Sequence, residues 1–315
     1  NRYNDRPNLL VWGLWDGVSP IRAGSEGLPC YCIHSLAAYK AWLQARFSLD
    51  EFNERVLRRY HTWEDVEPPR HRHNIVEMLM FKRFVYQNLV DKLKWMAAET
   101  RAIDPGHEIR AHSGMTPQPW NEACAREVDS WGMSMSSNNV LTGPDAEGLV
   151  DRAFAFDIAR ALAPNGRWWN EEIYAGMARG GVTWKKQSDP RELTALLWLT
   201  VAGGASGCMF WQYRPEYLSF ESPGYNLVAL DGQPTARLEA VSRAIAQIEG
   251  MRDYLPVDCG RAEIGIVYHP PSQELFGYND ETQRYNADLQ GVYRTLWRHG
   301  LAADLLTPSM DWSDY

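Results

Sequence analysis

The chain has 315 residues, is 45% hydrophobic and carries a formal charge of −8, which is enough apolar material for one large core and part of a second. An acidic balance with no run of Lys and Arg excludes a phosphate-binding surface, so no nucleic-acid partner is expected. The one basic cluster, RHRH at 70–73, reads as a solvated helix entry. No apolar stretch reaches the length of about 18 residues that marks a membrane span, and the opening NRYNDRPN lacks a signal peptide's apolar core. Five cysteines, odd in number and sparse, argue against a disulfide framework and for a soluble protein in a reducing, cytoplasmic setting. The 14 Trp and 15 Tyr suit either a large core or a sugar ligand, whose apolar C–H faces stack on aromatic rings.

In chain order, short apolar runs alternate with longer helical patterns, the signature of βα units and a parallel sheet. Strands are expected at 8–15 (NLLVWGLW), 108–113 (EIRAHS), 128–136, 167–173 (RWWNEEI) and 207–213 (GCMFWQY). Helices are expected near 35–46, 49–60, 74–103 and 145–163, and from Pro190, where proline suits the first turn. A closed (β/α)8 barrel needs eight such strands, so this is an α/β TIM barrel lacking its first strands, assigned to 1–250. After an amphipathic helix near 234–251 the texture changes. A strand at 262–268, a polar loop, a helix at 284–299 and AADLLTP read as the start of a second α/β domain over 251–315.

The stretch RWWNEEIYAG holds two adjacent glutamates where a strand meets a loop. Strand alternation assigns Trp168, Asn170, Glu172 and Tyr174 to one face and Trp169, Glu171 and Ile173 to the other, so the two carboxylates should not share a cavity. If the Trp169/Ile173 face packs on helices, Glu172 turns inward at the strand's C-terminal end, where barrel enzymes keep their catalysts. The bland alternative is two solvated loop carboxylates.

On RPNLLVWGLWD, CYCIHSLAAYKAWLQARFSLDEFNE, RWWNEEIYAG and LTVAGGASGCMFWQYRPE, the chain resembles glycoside hydrolase family 42, the microbial β-galactosidases, along its whole length. The resemblance implies a (β/α)8 barrel whose strands four to eight are present, followed by a flavodoxin-like trimerisation domain, hence a homotrimer. It also implies a retaining hydrolase that cleaves terminal β-D-galactosyl residues of a β-galactoside or related oligosaccharide through a covalent glycosyl-enzyme. Glu172 matches the family's W-x-x-E-x-x-x-G nucleophile. The acid/base belongs to W-x-x-W-N-E on the fourth strand, where this chain has Trp12, Gly13, Leu14, Trp15, Asp16 and Gly17. Glycine has no proton to give, which leaves three readings. Asp16 takes the role, Glu26 reaches back from the next loop, or the chain is a carbohydrate-binding pseudoenzyme.

The same resemblance points to Trp211, Arg214, Glu216 and Glu221 for sugar binding, with Asn226 where the family has a histidine and Trp184 as a displaced subsite tryptophan. The family's C-x-C-x-x-C zinc cluster is matched at Cys30 and Cys32 but broken by Ser35, leaving His34 as the one nearby substitute, and no metal or cofactor is expected. A metal-dependent hydrolase would need His or Asp at several strand ends, which the sequence does not display; His112, at the end of the fifth strand, reads as an ordinary hydrogen-bonder.

Overall fold

The computed structural model describes residues 6–20, 30–70, 74–143, 147–177, 179–180, 183–184, 187–218, 221–222, 224–278 and 281–315. In order, these form β1 (Val11–Gly13), α1 (Ile33–Gln44), α2 (Leu49–Val56), α3 (Ile75–Ile103), β2 (Glu108–Ser113), α4 (Asn121–Ala125), β3 (Ser130–Ser136), α5 (Glu147–Leu162) and β4 (Trp168–Tyr174). There follow β5 (Arg179–Gly180), β6 (Thr183–Trp184), α6 (Pro190–Ala202), β7 (Gly207–Trp211), α7 (Ala236–Glu249), β8 (Ile264–Val267), α8 (Pro270–Tyr278), α9 (Thr282–Arg298) and β9 (Ala303–Leu306).

All five expected barrel strands appear in one parallel sheet of order β1-β2-β3-β4-β7. The first is shorter than the apolar run that encodes it, because the chain turns at Asp16 and Gly17. The helices begin where local chemistry starts them. Ser48 and Glu51 form a reciprocal capping box on α2, Asn74 accepts from the backbone N–H groups of Val76 and Glu77 at α3, and Asp189 caps α6 ahead of Pro190. Each cap satisfies donors that a helix start leaves orphaned, worth about 1 kcal/mol.

Strand alternation splits the sheet into two faces. Ile109, Ala111, Trp131, Met133, Met135, Trp168 and Ile173 are buried in the core between sheet and helices. There Trp168 lies 4.7 Å from the Phe156 ring of α5 and donates from Nε1 to the Gly203 carbonyl. The opposite face carries Arg110 and His112 on β2, Gly132 and Ser134 on β3, and Met209 and Trp211 on β7. A second, aromatic core joins α1, α2 and α3 through Tyr39, Phe52, Phe81 and Phe84. Much of the aromatic content therefore serves packing.

Beyond α7, β8 and β9 pair in parallel as a separate two-stranded sheet. They pack on α5 through Phe154, Ile158, Ile266, Tyr293 and Leu305. The polar loop expected after the strand at 262–268 is instead helix α8. Two prolines open it without the missing N–H groups costing anything. Its Gln273 is buried by bonds to the Pro117 carbonyl and Asn286, and Glu274 by an ion pair with Arg83.

Candidate active site

The two glutamates break the expected alternation. Met133 pairs with Asn170, but the next residue, Ser134, pairs with Glu172. On the other side Asn170 pairs with Cys208 and Ile173 with Phe210, so β4 advances three residues while β7 advances two. Both neighbours locate one extra residue in β4, a β-bulge that changes the phase of every side chain after it. Below the bulge Trp169 faces inward, where its ring lies 4.1 Å from the Arg110 guanidinium, while Asn170 points out and donates to Thr200 of α6 at 2.9 Å. Above it Ile173 points out into the core.

Glu171 and Glu172 consequently both face inward, and the expectation that they cannot share a cavity is overturned, as is the placing of Trp169 against the helices. Glu171 is the deeper group, buried and accepting from Arg110 Nε at 2.7 Å. Burial pushes its carboxyl pKa upward, against the charges of Arg110 and His112 that pull it down. Glu172 sits nearer the mouth, and its Oε2 accepts from Ser134 Oγ at 2.5 Å.

Gly132 explains how the carboxylate and the imidazole fit beside β3. A Cβ there would stand 2.9 Å from the Cβ atoms of both Glu171 and His112, closer than real contacts allow. Glycine is the one residue that admits both side chains.

Asp16 arrives from the turn after β1. Backbone bonds tie that turn to β2: just beyond the Leu14 N–H bond to the Arg110 carbonyl at 2.8 Å, His112 donates its N–H to the Trp15 carbonyl at 3.4 Å and accepts from Val18 N–H at 2.8 Å. Gly17 between them has φ +60° and open space around its Cβ position. The turn carries Asp16 to His112, with Oδ1 3.1 Å from Nε2.

The same Nε2 lies 3.8 Å from Glu172 Oε2, and Nδ1 lies 3.9 Å from Glu171 Oε1. Burial opposes a charged imidazole, but the Asp16 and Glu172 carboxylates facing Nε2 and the Glu171 charge outweigh it and raise the His112 pKa to about 9. His112 is thus an imidazolium at neutral pH, among three carboxylates.

Asp16, His112 and Glu172 bring one polar atom each within 4.8 Å of one another, so strand ends do supply a mixed His/carboxylate cluster that the sequence did not display.

Trp211, at the end of β7 and paired with Tyr174, donates from Nε1 to Glu221 Oε2 at 3.2 Å. Burial raises the Glu221 pKa, the Trp211 bond lowers it, and the charges of Glu216, Glu172 and Asp16 add to the rise, so Glu221 shares the field of the central carboxylates. Tyr174, whose ring meets that of Tyr225 at 5.0 Å, has its phenol pKa raised by burial and by Glu172.

Arg214 is exposed, 5.6 Å over the Tyr217 ring, and is not brought to the carboxylates. Asn226 is buried, with its amide donating to the Val228 carbonyl, which occupies the group expected to fill the missing histidine's place. Trp184 lies in β6, but its side chain is outside the described residues, as are Glu26 and the cluster at 71–73. Cys30 and Cys32 are free and exposed. Cys32 caps α1 by accepting from Ser35 N–H, and the Ser35 hydroxyl and N–H bonds hold its thiol at about 6.

Missed by sequence reasoning were the inward course of Glu171 and the roles of Arg110, Ser134 and Gly132. The i, i+2 spacing of Arg110 and His112 on one strand was the available signal.

A parallel α/β sheet with carboxylates gathered at the C-terminal ends of its strands defines the class, a barrel-type α/β scaffold with its candidate site at that end. Residues 1–251 match the family model for beta-galactosidases of glycoside hydrolase family 42, and the chain belongs to that family. Over 345 residues it is 23% identical to beta-galactosidase BgaB of Geobacillus sp., a match covering 100% of this chain and 47% of that protein. Among solved structures, a catalytic mutant of a GH42 beta-galactosidase from G. stearothermophilus superposes with a TM-score of 0.86 at 19% identity, covering 100% of this chain and 48% of that one. The beta-galactosidase from the Antarctic haloarchaeon Halorubrum lacusprofundi gives 0.83 at 19% identity, covering 100% and 49%. These likenesses fix the fold class as a TIM-barrel fragment, and the chain spans about half the length of the relatives it matches.

Proposed function

We propose that the protein is a retaining glycoside hydrolase that cleaves terminal β-D-galactosyl residues, with Glu172 as nucleophile and Asp16 as acid/base. One observation carries this reading: an Asp16 carboxylate oxygen and a Glu172 oxygen lie within 4.8 Å of each other. Retaining enzymes hold their two carboxyl groups about 5–5.5 Å apart, whereas inverting enzymes need about 6.5–9.5 Å to admit a water. The spacing supports direct attack by Glu172 on the anomeric carbon while the second group protonates the leaving oxygen.

Trp211 and Glu221 complete the sugar subsite in this reading, one offering an aromatic face and the other an acceptor for hydroxyls. Arg214 and Trp184 stay assigned to the outer subsite on the family resemblance. The homotrimer, the trimerisation-like domain from 251 and a cytoplasmic location belong to the same proposal, the last supported by five cysteines that are all unpaired. The glycine at 17 motivates the alternative, a relative that binds sugar without turning it over.

The deciding experiment uses a 2-fluoro galactoside with an activated leaving group on the intact gene product. Label on Glu172, together with loss of nearly all aryl β-galactoside turnover in Glu172→Gln, is the expected result. Label on Glu171 overturns the assignment, and absence of both label and turnover favours the binding protein.

A further inference from the structure

We infer that His112 and Asp16 form one acid/base unit, in which the proton destined for the glycosidic oxygen is held between His112 Nε2 and Asp16 Oδ1. The inference rests on the retaining reading above and names the group that makes Asp16 serviceable in place of the missing glutamate.

Three observations carry it. The nitrogen faces Asp16 at 3.1 Å and the Glu172 oxygen at 3.8 Å, so it lies between both proposed reacting carboxylates. The backbone of the same residue bonds both ends of the Asp16 turn, at Trp15 and Val18, so side chain and turn cannot drift apart. The Asp16 side chain is 81% exposed, so burial gives it no help in holding a proton. A histidine partner supplies the missing proton capacity, because the pair shares one titratable proton whose macroscopic pKa belongs to both groups.

The charged and titratable groups facing the imidazole are Asp16 from the turn after β1, Glu171 and Glu172 from β4, and Arg110 from its own strand. Arg110 neutralises Glu171, with Nε 2.7 Å from Oε1. Ser134 from β3 bonds Glu172. Of the three carboxylates, Asp16 is the one nearest the ring.

The proton balance closes without a co-reactant. As a Glu172 oxygen bonds to the anomeric carbon and the carbon–oxygen bond to the aglycone breaks, the shared proton passes through Asp16 to the leaving oxygen, and the aglycone departs as an alcohol. The pair is left as neutral imidazole and carboxylate. Water then attacks the anomeric carbon, the Glu172 ester bond breaks, and the proton released by the water returns to the pair. His112 acts through Asp16 and is a positioning residue.

The test measures kcat/KM against pH on the intact gene product for aryl β-galactosides whose leaving groups span a wide range of pKa. In His112→Asn, poorly activated substrates should lose about 10²-fold, the low end of general-acid assistance, while a dinitrophenyl galactoside changes only a few-fold. The alkaline limb should also move toward lower pH. Equal losses across all leaving groups with an unmoved limb would overturn the inference, even with Glu172 still labelled by the fluoro-sugar. No label and no turnover of the dinitrophenyl substrate in the unmutated protein would instead sink the retaining reading itself. A measurement that needs no folded variant is the NMR titration of the His112 ring in the unmutated protein, which should coincide with the alkaline limb; a ring that titrates more than one pH unit away overturns the pairing.

Discussion

Gly17 shows why a residue swap at the position where the family resemblance expects the acid/base is not a simple deletion. Its φ of +60° is a conformation that costs a residue with a Cβ about 1–2 kcal/mol, while the space around it is open. Glu at this position meets no clash, yet it works against the turn that presents Asp16. Gly17→Glu should therefore lower stability by about 1 kcal/mol in denaturant unfolding. Any gain in lactose hydrolysis should fall short of the full general-acid factor of about 10²–10⁴. A gain at the top of that range with unchanged stability would mean that the turn relaxes freely.

The charge of His112 has a consequence for stability. Its folded pKa, about 9, exceeds its ordinary 6.5, so the folded state binds the proton more tightly than the unfolded chain. That contribution is fully present below pH 6.5 and is lost as pH rises toward 9. The melting temperature of the unmutated protein should fall across this window, and the fall attributable to His112 should vanish in His112→Asn.

At the scale of the elements, the bulge in β4 determines the site. The five barrel strands were legible in the sequence because each is an apolar run set between helical patterns, and Glu172 was legible from its motif. The bulge was not, since no glycine marks it. It is fixed by registers with Ser134 on one side and Phe210 on the other, which are long-range facts. Parity reasoning chose Glu172 correctly as an inward residue but by a face that fails below Glu171. Likewise α8 was hidden behind its two prolines.

The Arg110–Glu171 pair beneath the bulge gives a test of this layout. Both side chains are nearly fully buried, so removing one partner strands the other as a buried charge, at a cost of about 3–5 kcal/mol. Arg110→Met should destabilise by that order in urea unfolding, and adding Glu171→Gln should recover part of it. If the two changes are simply additive, the pair is not coupled and Glu171 has another partner.

For the whole molecule, the sheet of β8 and β9 is built against α5 by an apolar interface and by ion pairs such as Arg294 with Asp151. The helix that backs the five-stranded sheet on one side thus supports a second sheet on the other. If the region from 251 belongs to a trimerisation domain, as proposed, assembly and active-site geometry share a structural member. Sedimentation equilibrium of the intact gene product should give a trimer, and a monomer at micromolar concentration contradicts that part of the proposal.

Because the backbone of His112 closes both ends of the turn that holds Asp16, the turn and β2 should open to solvent as one unit. In hydrogen–deuterium exchange, the amides of His112 and Val18, bonded to Trp15 and to His112 respectively, should share a single opening rate. That rate should be set by unzipping of the strand rather than by motion of the loop, so the exposed aspartate at the mouth would be kept in place on the timescale of the core beneath it.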